Sequence, residues 1–222
     1  MSQRDIVQTL LVRAYRLRRT PVRLDRAFDV ALSALALLFL APLLLIVSLV
    51  VALEGRGPIV FAHPRIGRDG RVFRVLKFRS MVVDGDRVLR DHLAACPEAA
   101  AEWAADHKLR NDPRVTRIGG FLRKSSLDEL PQFWNVLRGE MSIVGPRPIV
   151  QAEVPRYGRL FKAYCLVRPG ITGVWQVSGR NDISYRRRVA MDAVYARRKS
   201  VYLDVKIILA TVPAVLARKG SY

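Results

Sequence analysis

At 222 residues, half of them apolar, the chain is long enough for one domain with a sizeable core plus one membrane element, and too short for two full domains. A formal charge of +19 restricts the partners to anionic ones, namely acidic headgroups, phosphorylated substrates or nucleic acid. The two cysteines, Cys96 and Cys165, stand far apart with no CxxC or Cys/His spacing, which implies neither a disulfide framework nor a zinc site and fits a reducing compartment.

From Val30 to Leu53 the chain carries no charge, a run that exceeds the roughly 20 residues needed to cross a bilayer core. It is too long for the apolar part of a signal peptide and no small-residue cleavage pattern follows, so it is expected to stay attached. Arginines crowd both flanks, among them Arg13, Arg16, Arg23 and Arg26 before it and Arg56, Arg65, Arg68 and Arg79 after it, so both sides favour the cytoplasm. Pro42, at the middle, removes the bond to the Leu38 carbonyl and makes a bend cheap. A re-entrant hairpin and a kinked spanning helix both satisfy these residues.

Beyond Gly55 to Pro58, PIVFAHPRIG and RVFRVLKFRSM read as two short strands joined by an Asp69-Gly70 turn. Lys77 and Arg79, two apart, are expected to share one face, either as a cation pair or as edge-strand guards. Residues Asp84 to Lys108 read as helix interrupted at Pro97, with His92 and His107 as surface histidines. Asn111, Asp112 and Pro113 then form a turn before an arginine-rich helix carrying Arg114, Arg117, Arg123 and Lys124.

In SSLDELPQFWNVLRG, Ser126 and Glu129 match a capping box, but a helix starting at Asp128 and ending before Gly139 places Pro131 in the tolerant first turn. Asp128 and Glu129 would then sit at a helix N-terminus among arginines, where a carboxylate stays ionised and a phosphorylated substrate collects. A capping role and a catalytic role are both open for them. In GEMSIVGPRPIV two prolines hold Arg147 rigidly, as suits bidentate phosphate binding. VRPGITGVWQVSGRND repeats the device with Arg168 and Arg180 beside Trp175, either a loop-rich wall with an aromatic surface or a buried tryptophan.

These residues resemble the monotopic phosphoglycosyl transferases, the bacterial sugar transferase family that includes undecaprenyl-phosphate galactose and glucose phosphotransferases. KFRSM, NDPRVTRIG, SSLDELPQFWNVLRGEMSIVGPRP and RPGITGVWQVSGR carry the resemblance, which runs over nearly everything after Arg23. It implies a mostly helical α+β fold with a small antiparallel hairpin. It also implies three parts: a basic interfacial segment over residues 1–27 on anionic lipid, a re-entrant membrane helix over 28–54 bent at Pro42, and a cytoplasmic-face catalytic domain over 55–222. Family members commonly have Ser-Pro at the bend, where this chain has Ala41-Pro42. Larger members carry four transmembrane helices and a further soluble domain in front, so the chain resembles the minimal form.

The implied reaction moves a sugar 1-phosphate from a UDP-sugar to undecaprenyl phosphate at the bacterial inner membrane, releasing UMP. Asp128 matches the nucleophile and Glu129 its partner, and Mg2+, expected because a pyrophosphate being cleaved needs its oxygens neutralised, is assigned to the same two carboxylates. Lys77, Arg79, Arg114, Arg123, Arg147, Arg168 and Arg180 are the expected phosphate contacts. Asp192 and Asp204 match acidic positions in closing motifs, with an ion pair to Arg188 and a helix cap as their rival roles. QVSGR and the GSY ending lean toward a hexose over an N-acetyl amino sugar. Nucleic acid is not an expected partner, a homodimer is an open option, and a non-enzymatic basic membrane protein is the remote alternative.

Overall fold

The structure is a computed structural model and describes residues 22–106, 109, 111–179 and 183–216. Most of the basic segment over residues 1–27, as well as His107 and Arg180, lies outside the described residues.

The apolar run forms helix α1, Val22–Leu53, and the helix runs on through Pro42. It is long and apolar enough to cross a membrane, and only 11% of its most apolar window is buried, unlike the core helix of a soluble protein. Both ends nevertheless dock on the same body. Near the N-terminal end, Asp29 accepts from Ser142 Oγ and the Ile143 amide, each at 3.0 Å, while Arg26 donates to the Val136 and Leu137 carbonyls at 2.6 and 2.8 Å. At the other end Val47 and Val51 pack with Phe78 and Leu122, and Arg79 donates Nη2 to the Val51 and Gly55 carbonyls at 2.7 Å each. Leu38 and Phe39, between the two docked ends, are 76% and 85% exposed.

Strands β1, Val60–Ile66, and β2, Val72–Phe78, pair antiparallel in the expected hairpin. Asp69 at φ 59° and Gly70 at φ 72° turn the chain in the left-handed region that Asp tolerates and Gly adopts freely. Helices α2, Gly85–Ala95, and α3, Pro97–Asp106, follow, with Pro97 starting α3 where its missing N–H costs nothing. Helix α4, Arg117–Lys124, is capped by Thr116, whose hydroxyl accepts from the Gly119 amide. Arg114 therefore lies before this helix and not on it. Helix α5 is Gln132–Arg138, ended by Gly139 at φ 81°.

Strand β3, Ser142–Val144, runs parallel to β4, Gly170–Thr172, with the short helices α6, Val154–Tyr157, and α7, Phe161–Tyr164, between them. Gly145 and Gly170 lie so close that a Cβ on Gly170 would strike the Gly145 nitrogen, and this approach holds the Pro146–Pro148 loop in place. Helices α8, Val174–Ser178, α9, Tyr185–Arg198, and α10, Val201–Leu216, complete the fold. They bury Trp175, Tyr195, Leu203 and Ile207 against Val136, Met141, Ile143 and Val144 in the main core. The fold is mostly helical α+β, as expected. The small parallel pair β3–β4 was not expected, because three-residue strands leave no periodicity to read.

Candidate active site

Asp128 and Glu129 do not begin α5. They occupy a separate 3-10 turn, Leu127–Glu129, entered through Ser126 at φ 58°, and no side-chain cap is made by Ser126 or at the start of α5. Pro131, which has no N–H to give, delays the helix to Gln132. Neither capping reading holds. The carboxylates are instead held by a cation on the facing strand: Lys77 Nζ lies 2.7 Å from Glu129 Oε1 and 3.4 Å from Asp128 Oδ2.

Asp128 is 5% exposed, and burial pushes its carboxyl above the usual carboxylate range. Lys77 opposes that rise, Glu129 adds to it and Arg123 opposes it in turn. Arg123 is positioned by donating Nε to Ser80 Oγ at 2.9 Å, where Gly119 on the same helix passes hard against the Ser80 backbone. Arg147, presented between its prolines, reaches Glu129 Oε1 at 3.6 Å. The group opens on a cleft lined by Lys77, Glu129, Arg147 and also Arg65, Gln132 and Ile171.

The remaining arginines separate by role. Strand β2 ends at Phe78, so Arg79 does not share a face with Lys77 and instead turns to the Val51 carbonyl in the last turn of α1 and the Gly55 carbonyl just beyond it. Arg114 is bound to Asp112 in a fork of 2.6 to 3.1 Å and lies 5.0 Å over the Trp103 ring. Arg168 donates Nε to the Gly139 carbonyl at 2.8 Å, joining Arg26 at the end of α5. Three expected phosphate contacts are thus committed to protein carbonyls or a carboxylate. Trp175 is buried, with Arg188 4.7 Å over its ring, and is not among the residues that line the cleft.

Asp192 and Asp204 are core residues. Tyr157 donates to Asp192 at 2.8 Å, and Tyr195 lies 2.6 Å from Asp204 and 2.9 Å from the Val144 carbonyl. Burial pushes both carboxyls up to about 7. The helix cap expected of Asp204 falls to Ser200, whose hydroxyl accepts from the Leu203 amide. Asp192 feels the Arg188 charge, but its hydrogen bond goes to Tyr157.

Among the described residues no group of three or more His, Cys, Asp and Glu gathers, so the site offers two carboxylates as hard donors. They already hold one cation, the Lys77 ammonium, between them. Such a donor pair fits magnesium, which commonly takes one or two carboxylates and completes its shell with water and substrate phosphate.

Arg65 escaped the sequence reading. Its signal was available, because Arg65 and Lys77 fall on one face once β1 and β2 are placed in register, through the pairs Phe61 with Lys77 and Arg65 with Phe73.

The sequence profile of bacterial sugar transferases matches residues 20–218. The chain is 51% identical over 199 residues to the UDP-galactose-lipid carrier transferase of Erwinia amylovora, covering 90% of this chain and 42% of that protein. It is 50% identical over 197 residues to the exopolysaccharide production protein ExoY of Sinorhizobium fredii, covering 89% of this chain and 87% of that one. It is 42% identical over 208 residues to the UDP-glucose:undecaprenyl-phosphate glucose-1-phosphate transferase of Escherichia coli, covering 90% and 41%. The chain therefore spans about two fifths of the length of the first and third of these relatives.

Proposed function

Because the chain belongs to the bacterial sugar transferase family, we propose that it moves a sugar 1-phosphate from a UDP-hexose to undecaprenyl phosphate, as the first step of a membrane-based polysaccharide assembly. The observation that carries this reading is the Asp128–Glu129 pair, bridged by Lys77 and opening on a cleft lined with arginine.

An Asp128 oxygen attacks the β-phosphorus of the UDP-sugar. The bond from that phosphorus to the bridging oxygen breaks, and UMP leaves with the electron pair. A phosphate oxygen of the polyprenyl carrier then attacks the same phosphorus, breaks its bond to Asp128 and regenerates the carboxylate. Lys77 and Arg123 favour the ionised form that Asp128 needs, against the cost of its burial. Arg147 and Lys77, both in contact with Glu129, supply the fixed positive charge on which phosphoryl transfer depends. Magnesium held by Asp128 and Glu129 would neutralise pyrophosphate oxygens.

In this reading α1 dips into the cytoplasmic membrane and returns, leaving the catalytic body on the cytoplasmic face. Two observations support it: Arg26 and Asp29 at one end and Val51 at the other dock on the same body, and arginines flank both ends. Residues on both sides of Pro42 could then reach anionic lipid and the polyprenyl carrier.

The test is release of UMP from UDP-glucose and UDP-galactose by detergent-purified protein with magnesium and undecaprenyl phosphate, wild type against Asp128→Asn. Release that the variant loses supports the reading and identifies the hexose. Activity only with UDP-N-acetyl sugars would move the substrate to that class, and no activity with either class would overturn the transferase reading.

A further inference from the structure

Arg65 and Arg147 are brought together by a structure separate from the acidic pair. Ile66, at the end of β1, forms an antiparallel bridge with Ile149, its amide donating to the Ile149 carbonyl at 2.8 Å. The Tyr164 hydroxyl ties the two sides again, donating to the Ile66 carbonyl at 2.7 Å and accepting from the Ile149 amide at 3.4 Å. The residue before Ile66 is thereby locked beside the Pro146–Pro148 loop. Both guanidinium groups line the cleft that contains Lys77 and Glu129.

Among the described residues neither guanidinium has closed on an acid. Arg147 stands 3.6 Å from Glu129, and Arg65 stands 3.9 Å from Glu153. Both distances exceed a charge-assisted hydrogen bond of about 2.7–2.9 Å. The contrast is Arg114, held by Asp112 at 2.6 Å. Glu153 is restrained from approaching, because its Oε2 accepts from the Val150 amide at 2.9 Å and its Oε1 from the Tyr185 hydroxyl at 3.2 Å. Burial, then the neighbouring Arg147, disfavour the charged form of Arg65, so an arriving anion would relieve both.

We propose that Arg65 and Arg147 form a two-guanidinium clamp for the α-phosphate of the nucleotide, the phosphate that leaves as UMP, with Glu153 as the counter-charge that holds Arg65 ready. The clamp rests on the transferase reading above. Its place follows from the groups each cation meets: Lys77 and Arg123 act on Asp128, where the β-phosphorus must sit, while Arg147 meets Glu129 and Arg65 meets Arg147, a row of charges leading away from Asp128. A diphosphate laid along this row meets the clamp with its second phosphate.

The experiment is calorimetric titration of UMP, with magnesium, into the full chain in detergent. Arg65→Gln is expected to weaken UMP binding by about 10- to 100-fold, the range for a lost hydrogen bond to a charged group, and Arg65→Lys by less. Glu153→Gln keeps the Val150 bond but removes the competing charge, and is expected to tighten UMP binding by about two- to fivefold. The kcat/KM for undecaprenyl phosphate should not move in any of them, because the second step follows departure of UMP.

Unchanged UMP binding in Arg65→Gln overturns the clamp, as does Glu153→Gln weakening binding in parallel with it, since the two residues would then form only a structural pair. Should Arg65→Gln fold poorly, the opposite signs expected of Arg65→Lys and Glu153→Gln decide the matter. Wild type that releases UMP while Arg65→Gln binds it normally would sink the clamp alone. Wild type that neither binds nor releases UMP would remove the transferase reading with it.

Discussion

Two kinds of buried carboxylate occur in this chain, and the difference lies in their partners. Asp128 and Asp192 are 5% and 2% exposed, so burial alone does not distinguish them. Asp128 meets Lys77 and Arg123 next to Glu129, which lines the cleft, while Asp192 and Asp204 receive hydrogen bonds from tyrosines inside the core. A cation favours the ionised form that can act as a nucleophile. A tyrosine hydroxyl satisfies a carboxyl without supplying a charge, and burial leaves both groups at about 7 although the Lys199 and Arg188 charges oppose the rise. The arginines divide in the same way: Arg79, Arg114 and Arg168 are committed to protein acceptors, whereas Arg65 and Arg147 stand back from theirs.

The sharpest way to break this comparison is at Asp128. Asp128→Asn keeps the shape but removes the nucleophilic charge, and should lower UMP release by at least about 1,000-fold, roughly 4 kcal/mol on the barrier, with no loss of thermal stability. Asp204→Asn retaining less activity than this at full stability would put the tyrosine-bonded acids in the chemistry and undo the distinction. Next in size is Lys77→Met, which leaves two adjacent carboxylates without their shared cation. Its UMP release should fall by about 100-fold, or roughly 3 kcal/mol, and the pH profile should shift upward as Asp128 becomes harder to ionise.

The core acids make a prediction about pH and stability. With carboxyls raised to about 7 in the folded state against an ordinary value of 3.8, the folded chain holds protons that the unfolded chain releases. The associated stability is present below about pH 4 and is lost as pH rises toward 7, at about 1.4 kcal/mol per pH unit for each group. Thermal melts in detergent should therefore show a higher Tm at pH 5.5 than at pH 8, with Asp204→Asn flattening the difference. A Tm that rises with pH would mean that these carboxyls are ionised in the core. Smallest is Arg168→Ala, which removes a bond to the Gly139 carbonyl at the end of α5. It should cost about 1 kcal/mol of stability and leave the KM for the UDP-sugar unchanged, whereas a raised KM would return Arg168 to the cleft.

Features set by local chain chemistry were legible in the residue order. The apolar run became α1, the Asp69-Gly70 turn joined β1 to β2, Pro97 divided α2 from α3, and Gly139 ended α5. The acidic pair could be picked out from its motif, but its setting could not. Capping patterns at Ser126 and Asp128 are locally sensible, and only the cross-chain approach of Lys77 and the strain at Ser126 replace them with a 3-10 turn.

The sequence by itself determined what must be separated from water, where the chain turns and which residues carry charge, because these follow from hydropathy, backbone preference and side-chain identity over a few positions. The tertiary structure decided which charges face the cleft and which are used up inside the fold. An arginine does not carry in its neighbours the information that a helix end lies within its reach, as for Arg79 and Arg168, or that a bridge from Ile66 to Ile149 sets Arg65 beside Arg147. Those pairings join residues far apart in the chain, and only packing brings them together.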